Sequence, residues 1–486
     1  MPAQLTTKAQ VNGYRFLLRR LDHALVRRDV RMLHDPMRVQ FRSLMVGLVL
    51  GILMLAGCAI YGLIRPQGQV GDAKIIAGRD SGALYVRVDD RLHPALNLAS
   101  ARLITGSNEK PKAVKDAKLG QFPRGTVLGI PGAPQALPAS SSATSAWAVC
   151  ETTALSPSGS AAGAVGVVTT VIAAEPRLGA GSNALGSDAA MLVKHQDRTY
   201  LLYDGKRAPV DLNNPVIARS LKASAPRPVG TGILAATVEQ PPLASPVIAR
   251  AGELPPFQIG GAKIGSVIKV SGVDAAELYV VLADGIQRIT PFTATVLRNA
   301  DSQGQSDIVA VPPSATTGVP VVNSLAVRHF PNEVSRLVSA EEAPVACLSW
   351  MRGTADRAAS VRLLGGSSLP LASSAKAVPQ VTADGNGDRV DATYIPPTSG
   401  EFVQITGIEP DSERREALVY VADNGVRYAI PDVASAVMLG LNKPKLAPWS
   451  IVGLLVPGPE LSRPNALVSH DTLAPDPKSG AIAGPK

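Results

Sequence analysis

The feature that most constrains this chain is a run of 22 residues without a charged side chain, from Ser43 to Ile64. As an α-helix rising about 1.5 Å per residue, the run would be roughly 33 Å long, enough to cross a hydrocarbon core of about 30 Å. Hydropathy indicates no second segment of this kind in the 486 residues. The sequence therefore predicts one membrane-spanning helix over 43–64, with a short arm before it and a long region after it.

Positive charge is concentrated on the N-terminal side of this run, where residues 1–42 hold nine basic and three acidic side chains. The nine are Lys8, Arg15, Arg19, Arg20, Arg27, Arg28, Arg31, Arg38 and Arg42. Because basic flanks stay on the cytoplasmic side, we predict an inner-membrane protein with a cytoplasmic N-terminus and a periplasmic region after Arg65. Only +3 of the net +9 remains for that region. A nearly neutral, aromatic-poor chain offers no phosphate-binding or base-stacking surface, which argues against nucleic-acid binding.

A lipoprotein signal is an alternative explanation of the apolar run. The residues Leu55-Ala56-Gly57-Cys58 match the motif in which a cysteine becomes a lipidated N-terminus. However, the basic region before the motif is far longer than that of a signal peptide, and six apolar or small residues follow Cys58. We therefore favour an uncleaved anchor, in which Cys58 is a small apolar side chain within lipid.

The N-terminal arm has the pattern of an amphipathic helix. Thr7 and Gln10 have capping-box spacing, and Pro36 is expected to end the helix. An apolar stripe of Val11, Tyr14, Leu18, Leu21 and Leu25 recurs at intervals of three and four residues, and Arg15, Arg19, Arg27 and Arg31 lie largely off it. The candidate contact residues are Tyr14, Arg15, Leu18, Arg19, Leu21 and Leu25. Such a helix lies on anionic lipid headgroups, or docks on a cytoplasmic partner through the stripe and an acidic surface, or does both.

The long outer region is predicted to be α+β and rich in short strands, since the chain contains 44 Gly and 40 Pro. One unit recurs four times, at residues 83–104, 199–221, 277–299 and 417–441. Each copy begins with an alternating strand and reaches a polar turn such as Asp204-Gly205, which suits positive φ. A short second strand and a small-residue helix follow, and Asn214-Pro215, Thr290-Pro291 and Pro431-Asp432 mark helix starts. The repeated unit is therefore predicted to be a β-hairpin followed by a helix.

The spacing of the copies indicates a tandem duplication. The first and third copies start 194 residues apart, the second and fourth 218, and Cys150 and Cys347 are 197 apart. The order of repeat, cysteine and repeat thus occurs twice, which predicts two halves with pseudo-twofold symmetry. Two cysteines on the oxidising side most simply form one disulfide, Cys150–Cys347, worth roughly 5 kcal/mol in the chain-entropy model; the alternative is two buried thiols.

These observations divide the chain into nine segments, with four repeats around a central β-rich domain that is built from two separate stretches. The segments are a cytoplasmic amphipathic helix (1–42), a transmembrane helix (43–64), repeat 1 (67–135), the first stretch of the central domain (140–185), repeat 2 (186–235), repeat 3 (257–300), the second stretch of the central domain (305–390), repeat 4 (395–460) and a C-terminal tail (461–486).

Several short motifs, taken together and in order, resemble the EccB family of mycobacterial type VII (ESX) secretion systems. They are Gln10-Val11-x-Gly13-Tyr14-x-Phe16, Arg65-Pro66-x-Gly68, Ala83-Leu84-Tyr85-Val86, Leu96-Asn97-Leu98-x-Ser100-Ala101-Arg102-Leu103, Pro123-x-Gly125, Gly129-Ile130-Pro131-Gly132-Ala133-Pro134 and Ala447-Pro448-Trp449. Any one of them alone is unspecific, but their joint occurrence covers nearly the whole chain.

The resemblance implies a structural subunit of a secretion pore in the inner membrane. It implies the EccC motor ATPase, EccD, EccE and the mycosin protease as partners, and contact between copies through their periplasmic domains. It also implies an elongated periplasmic region of repeats around a central domain, held by one disulfide that falls here on Cys150 and Cys347.

Family members have also been called ATPases, so ATP is the one cofactor that the resemblance suggests. The sequence has no G-x-x-x-x-G-K-[ST] loop, and Gly260-Gly261-Ala262-Lys263 lacks the required spacing. We therefore expect no catalytic residues and no cofactor, with an ATP-hydrolysing subunit as the alternative function. A third possibility is an envelope-binding module anchored on its own.

Other apparent motifs lack the neighbours that their chemistry needs. Arg79-Asp80-Ser81-Gly82 resembles a serine nucleophile loop but continues with alanine, and His93, His195 and His329 have no partner spacing. Asp384-x-Asn386-x-Asp388 begins like a calcium loop, but Arg389 replaces the turn glycine and Ile395 the bidentate carboxylate. No histidine and cysteine spacing suits zinc, so we expect no metal site.

Overall fold

The computed structural model describes residues 6–31, 36–64, 70–157, 159–160, 166–179, 181–272, 276–477 and 479–480. Two compact units are present, residues 1–71 and residues 72–486. The described residues of the first unit form two helices, α1 (Lys8–Arg27) and α2 (Pro36–Ile64). The described strands belong to the second unit, so the fold is mixed α+β with sheet predominant.

Helix α1 begins where the capping-box pattern predicts and ends earlier than expected. At its start, the side chain of Gln10 accepts a hydrogen bond of 2.9 Å from the backbone N–H of Thr7. At its end, Arg28 adopts a left-handed φ of 56° and its N–H bonds to Ala24 O. The prediction that Pro36 ends this helix is wrong, because Pro36 is instead the first residue of α2. Proline suits a first helical turn, where its missing N–H leaves no bond unmade.

Helix α2 contains the apolar run that was expected to span the membrane. Within the described residues it is the one helix that is long and apolar enough to do so, over Val39–Gly62. The helix starts seven residues before Ser43, so the expected span lies inside a longer helix.

The first half of the second unit contains the elements of repeats 1 and 2 and the first stretch of the central domain. In chain order these are β1 (Ile75–Gly78), β2 (Leu84–Val88), β3 (Arg91–Pro94), α3 (Leu98–Thr105), β4 (Lys112–Val114), α4 (Asp116–Leu119), β5 (Val127–Leu128), β6 (Thr144–Ala154), β7 (Gly166–Ile172), β8 (Ser182–Ala184), β9 (Ala189–His195), β10 (Arg198–Tyr203), β11 (Lys206–Pro209), α5 (Pro215–Ser220), β12 (Arg227–Pro228), α6 (Thr231–Ala235) and β13 (Val238–Glu239).

The second half follows a similar order. Its elements are β14 (Val267–Ser271), β15 (Ala276–Leu282), β16 (Gly285–Ile289), α7 (Pro291–Ala300), β17 (Val309–Val311), a 3-10 turn (Pro313–Thr316), β18 (Arg336–Leu337), β19 (Val345–Gly353), β20 (Ser360–Gly366), β21 (Val378–Pro379), β22 (Ala392–Tyr394), β23 (Gly400–Thr406), β24 (Leu418–Ala422), β25 (Val426–Ile430), α8 (Val433–Leu439), β26 (Lys445–Pro448), α9 (Trp449–Val452), β27 (Val456–Pro457), α10 (Arg463–Ala466) and β28 (Ser469–His470).

Each repeat forms its own sheet around a hairpin. The four hairpins are β2–β3, β10–β11, β15–β16 and β24–β25. In every repeat the strand before the hairpin pairs with its first strand, and a strand after the helix pairs in parallel with that preceding strand. Repeats 1 and 3 share the order β3-β2-β1-β4 and β16-β15-β14-β17. Repeats 2 and 4 share β12-β9-β10-β11-β13 and β26-β23-β24-β25-β27, in which one more strand joins the hairpin edge.

The central domain is a seven-stranded sheet of order β21-β22-β7-β6-β19-β20-β8. Its middle strands, β6 and β19, come from different halves of the chain and run antiparallel. Their register places Cys150 opposite Cys347 and Trp147 opposite Trp350. The two halves therefore meet along these two strands.

Several short strands lie outside the segment limits that the sequence suggests. Strand β17 pairs with β14, so residues 309–311 complete the sheet of repeat 3, although the sequence pattern places them in the central domain. Strand β28, within the expected tail 461–486, pairs with β5. These pairings join strands of two or three residues to their neighbours, and strands so short carry no alternating pattern of their own.

Among the apolar cores of the described residues, three join different segments of the second unit. One core joins repeats 1 and 4, through residues such as Leu103 and Leu439. A second core joins repeats 2 and 3, through residues such as Ile217 and Phe292. The third lies between the central sheet and repeats 2 and 4 and includes Trp350. The repeats therefore pack in pairs, 1 with 4 and 2 with 3.

Candidate functional site

The apolar stripe of α1 is a surface that its own unit leaves uncovered. Tyr14 is 65% exposed and Leu25 75%, and Leu18 and Leu21 are also exposed. Leu17, 56% exposed, belongs to the same face because it lies four residues before Leu21 and three after Tyr14. Leu17 was not among the residues predicted from the sequence, although its spacing fits the stripe. An exposed apolar face of this size is the kind of surface that lipid or a partner protein covers.

The arginines Arg15 and Arg19 are exposed on the same helix. They flank the stripe without an ion pair among those seen in the described residues. A positive rim beside an apolar face suits either lipid phosphate or a carboxylate-rich protein surface.

Cys150 and Cys347 are joined by a disulfide between the two central strands, with their Cα atoms 4.0 Å apart. Both cysteines are fully buried, in a small apolar cluster that includes Ile172 and Leu364. Cys58, in α2, is a free cysteine. The disulfide therefore links the two halves at the middle of the central sheet.

A half-buried arginine connects the paired helices of repeats 1 and 4. Arg102 Nη1 on α3 donates a hydrogen bond of 2.6 Å to Leu439 O, at the C-terminal end of α8. Helix α8 stops at Gly440, whose φ of 80° makes it a left-handed cap. A cation at this position complements the partial negative charge of the helix end, and burial lowers the pKa of Arg102.

Tyrosine hydroxyls of repeat 4 bond to the end of repeat 1 and to the linker that follows it. Tyr420 donates to Pro138 O at 2.9 Å, and Tyr428 donates to Gly132 O at 3.0 Å. In the other pair of repeats, Asn299 Nδ2 on α7 donates to Ser220 Oγ at 2.9 Å, and Tyr203 of repeat 2 donates to His329 O in the stretch after repeat 3. Both pairs of repeats are thus fastened by directional bonds as well as by apolar packing.

Glu151 fastens repeat 2 to the central sheet. This carboxylate on β6 is 1% exposed and accepts backbone N–H bonds from Gly230 at 2.8 Å and Ile233 at 2.9 Å. These bonds cap the start of α6, whose N-cap residue is the glycine Gly230. Burial, the largest influence, raises the pKa of Glu151 to about 7, against the opposing effect of these hydrogen bonds and of Arg227 and His195.

Arg227 acts electrostatically on this carboxylate and is itself buried. Its guanidinium donates to Ala343 O at 2.7 Å, to Pro344 O at 2.8 Å and to Thr153 Oγ1 at 3.2 Å. Burial lowers the pKa of Arg227. Arg227 therefore connects β12, β6 and the loop that leads into β19.

A second buried carboxylate shapes the loop whose sequence begins like a calcium site. Asp391 accepts backbone N–H bonds from Thr169, Asp384 and Gly385 at 2.8 to 2.9 Å. The side chain of Asp384 accepts from Asn386 N at 3.1 Å, which is an Asx turn. In the described residues, no group of three or more His, Cys, Asp or Glu side chains is arranged to hold a metal ion.

The candidate nucleophile and histidines also make local structural bonds. Ser81 Oγ accepts from Ala83 N at 3.2 Å, and the Ser81 hydroxyl lowers the pKa of Asp116. His93 Nδ1 bonds to Thr126 O at 2.9 Å and His195 Nδ1 to Val229 O at 3.0 Å. These residues lie on different repeats or strands, and the structure does not bring them together.

The sequence did not predict that Glu151, Arg102 and Asp391 would bond to other segments of the chain. Glu151 did carry a signal, since it is a lone carboxylate in the otherwise apolar or small run that follows Trp147. Arg102 appeared only within a family motif. The bonds of Arg102 to Leu439 and of Asp391 to Thr169 join residues that are distant in sequence, so no local pattern could indicate them.

These features define a class of protein: a chain with one candidate membrane helix, an exposed amphipathic helix before it, and a large sheet-rich unit built of fastened repeats, suited to assembly. Comparison with known proteins agrees. The family model described as "Type VII secretion system ESX-1, transport TM domain B" matches residues 3–475. The chain belongs to this family, EccB, of type VII secretion systems.

Individual relatives are similar over almost their whole length. The protein called "ESX-3 secretion system ATPase EccB3" of Mycobacterium tuberculosis is 40% identical over 492 residues, covering 97% of this chain and 90% of the relative. A chain of the "intact ESX-5 inner membrane complex" is 34% identical, with a TM-score of 0.73 over 99% of both chains. A chain of the "EccB3 dimer from the ESX-3 core complex" is 35% identical, with a TM-score of 0.70 over 82% of this chain and 100% of that one.

Proposed function

We propose that this chain is a structural core subunit of a type VII (ESX) protein-secretion complex in the plasma membrane. The observation that carries the proposal is the likeness, over 99% of both chains, to a subunit of an intact ESX-5 inner membrane complex. The exposed face of α1 and the large repeat surface supply places for partners on both sides of the anchor. The subunit helps to assemble the pore and its periplasmic region.

The orientation that we propose places residues 1–42 in the cytoplasm and the second unit in the periplasm. Nine basic side chains before the apolar run of α2 support this direction. The disulfide between Cys150 and Cys347 also supports it, because such bonds persist on the oxidising side of a membrane.

Self-association belongs to the same proposal. A relative in the EccB3 dimer matches this chain over 82% of its length, a share that corresponds in extent to the repeats and the central domain. We propose that copies of this chain meet through their periplasmic repeats. The further partners are EccC, EccD, EccE and the mycosin protease, as the family relation suggests.

The repeats themselves derive, in our proposal, from duplication of a half that contains two of them. Repeats 1 and 3 share one strand order and repeats 2 and 4 share another, as a duplication of halves requires. Cys150 and Cys347 lie directly opposite each other, which supports a pseudo-twofold axis through the disulfide that would relate positions 197 residues apart. The same axis exchanges the pair of repeats 1 and 4 with the pair of repeats 3 and 2.

ATP hydrolysis is the second candidate function, because the relative EccB3 is called an ATPase. We propose that this chain acts without a cofactor, since its sequence has no P-loop. Purified full-length chain should hydrolyse ATP no faster than a heat-denatured sample. Turnover that follows the protein through purification would favour the second candidate.

The assembly role is tested by extracting the tagged full chain from its own membranes in mild detergent. We expect migration in a complex of many subunits on a native gel, together with the motor ATPase. A protein that migrates only as a monomer or a dimer would instead be a separately anchored envelope module. Loss of secretion on deletion of the gene, restored by the tagged chain, completes the test.

A further inference from the structure

Glu151 on β6 and the start of α6 form a contact, called the joint below, in which a carboxylate is buried. The assembly role does not require this buried titratable group. Glu151 is 1% exposed, and the core around it is apolar, with Val149, Ile233 and Leu234 among its members. Its carboxylate is not in an ion pair among those found in the described residues, and two backbone N–H groups are its hydrogen-bond partners. An ionised carboxylate in such a place carries a large desolvation cost.

The charged groups that face Glu151 are few. Arg227 from β12 and His195 from β9 act on it electrostatically and favour its ionised form. Arg227 is itself occupied by two carbonyls and Thr153, and it also faces Glu341. The elements α6, α9 and β7 contain no titratable side chain.

Other charged groups near these elements are committed to bonds of their own. Lys445 on β26 pairs with Glu401, and Asp391 accepts three backbone N–H bonds beyond β7. Arg352, on β19, donates to Arg357 O at 2.8 Å. The desolvation of Glu151 is therefore only partly compensated, and the pKa of the carboxyl in the closed joint rises to about 7.

The direction of the effect follows from proton linkage. When residues 227–239 separate from the sheet, Glu151 meets water and regains the ordinary pKa of a glutamate. The closed joint therefore binds a proton more readily than the open one. Proton binding by Glu151 therefore stabilises the closed joint relative to the open one. This stabilisation is fully present below the ordinary pKa of a glutamate and is lost as the pH rises through the higher pKa of Glu151 in the closed joint.

We propose that Glu151 makes the attachment of residues 227–239 to the central sheet proton-dependent, so that acidification tightens this segment and alkalinisation loosens it. The segment contains β12 and β13, the first and last strands in the order of the sheet of repeat 2. Proton uptake at one buried side chain thus controls how firmly β12 and β13 are held, on a sheet whose strand β9 also pairs with β18. In a periplasmic location, the joint responds to the acidity of the surroundings.

Hydrogen–deuterium exchange of the full chain in lipid nanodiscs tests the proposal at pH 5.5 and 8.5, with rates corrected for intrinsic exchange. Protection of a peptide covering residues 229–239 should fall by about tenfold or more on going to the higher pH, since the two pKa values differ by more than one unit. A peptide from β15 and β16, in repeat 3, provides the internal reference.

Variants assign the effect to one side chain. Glu151→Gln does not titrate, so the pH dependence of the 229–239 peptide should disappear. Glu413→Gln, at an exposed position, should retain it, and so should His195→Gln, which removes the neighbouring titratable ring. Equal wild-type protection at both pH values would overturn the proposal, as would a dependence that survives in Glu151→Gln. If Glu151→Gln does not fold, the comparison of wild type with His195→Gln decides, because loss of the dependence in His195→Gln assigns it to the histidine.

Discussion

Cys150 and Cys347 lie opposite each other on β6 and β19, yet 197 residues separate them in the chain. The bond closes a loop that contains all of repeats 2 and 3. In an unfolded chain such a closure removes much conformational freedom, which corresponds to roughly 5 kcal/mol of stability in the entropy model. One bond between two residues therefore restricts the unfolded conformations of about half of the second unit.

We predict that Cys150→Ser lowers the free energy of unfolding by about 2–5 kcal/mol under non-reducing conditions. The measurement is urea denaturation of the detergent-solubilised chain, followed by tryptophan fluorescence. Cys58→Ser is the matched control, because Cys58 is a free cysteine in α2, and it should leave the midpoint unchanged. Two alkylatable thiols at Cys150 and Cys347 in unreduced wild-type protein would contradict the premise.

Residue-scale features differed in how well the sequence could predict them. Helix caps were predictable because their bonds are local: Asn214 accepts from Val216 N, Thr290 from Thr293 N, and Asp432 from Ser435 N. The bonds of Glu151 and Arg102 were not, since their partners are 79 and 337 residues away. A lone buried charge shows in a sequence only as an exception to an apolar run, without indicating its partner.

At the scale of elements, the last described strand of the chain completes the region around repeat 1. Strand β28 pairs with β5, His470 Nε2 bonds to Gly129 O at 2.9 Å, and Gly129 N donates to Val468 O. Leu461 and Ala466, just before β28, are fully buried in the core shared by repeats 1 and 4. The expected C-terminal tail therefore includes a structural strap, residues 461–470.

We predict that a chain ending after residue 458 is less stable than one ending after residue 476. Loss of the buried side chains of the strap, Leu461 above all, should cost about 2–4 kcal/mol and expose β5, since burying one large aliphatic side chain contributes about 1.5–3 kcal/mol. Thermal denaturation measures the first effect and hydrogen exchange of residues 127–134 the second. Equal melting temperatures for the two truncated chains would show that the strap contributes nothing.

The strap and the parallel strands after each helix illustrate what the sequence could not supply at this scale. Hairpins were predictable because a turn such as Asp204-Gly205 requires positive φ, and both residues adopt it, at 46° and 71°. Strands β12 and β28 have two residues each, which is too short for a period of two to appear. The role of Pro36 was ambiguous in the sequence, because a proline can follow the end of one helix or lie in the first turn of the next.

At the scale of the whole chain, repeats from one half pack against repeats from the other. Repeat 1 shares a core with repeat 4, and repeat 2 shares one with repeat 3, so two separate apolar cores join the first and second halves of the second unit. The central strands and the disulfide add a third connection. A half on its own would expose these faces, which favours cooperative folding of the second unit.

In the second unit the apolar faces of the repeats are buried, whereas in the first unit the apolar stripe of α1 is exposed. We predict that deleting residues 1–35 leaves the second unit folded but releases the protein from the large membrane complex. The reason is that the exposed stripe supplies apolar area that a partner buries, and the second unit is compact without it. Native-gel migration and secretion of substrates by the same cells are the measurements, and both should fall together.

Point variants separate the apolar from the electrostatic contribution to this contact. Leu21→Ser should weaken incorporation into the complex more than Val26→Ser, because Val26 is at least as exposed but lies off the stripe. Glutamate at Arg15, Arg19 and Arg27 should have a milder effect than the deletion, since exposed ion pairs contribute about 0–1 kcal/mol each. If the chain without residues 1–35 still migrates in the full complex and supports secretion, α1 lies on the lipid surface only. The contacts that hold the assembly would then belong to α2 and to the periplasmic repeats.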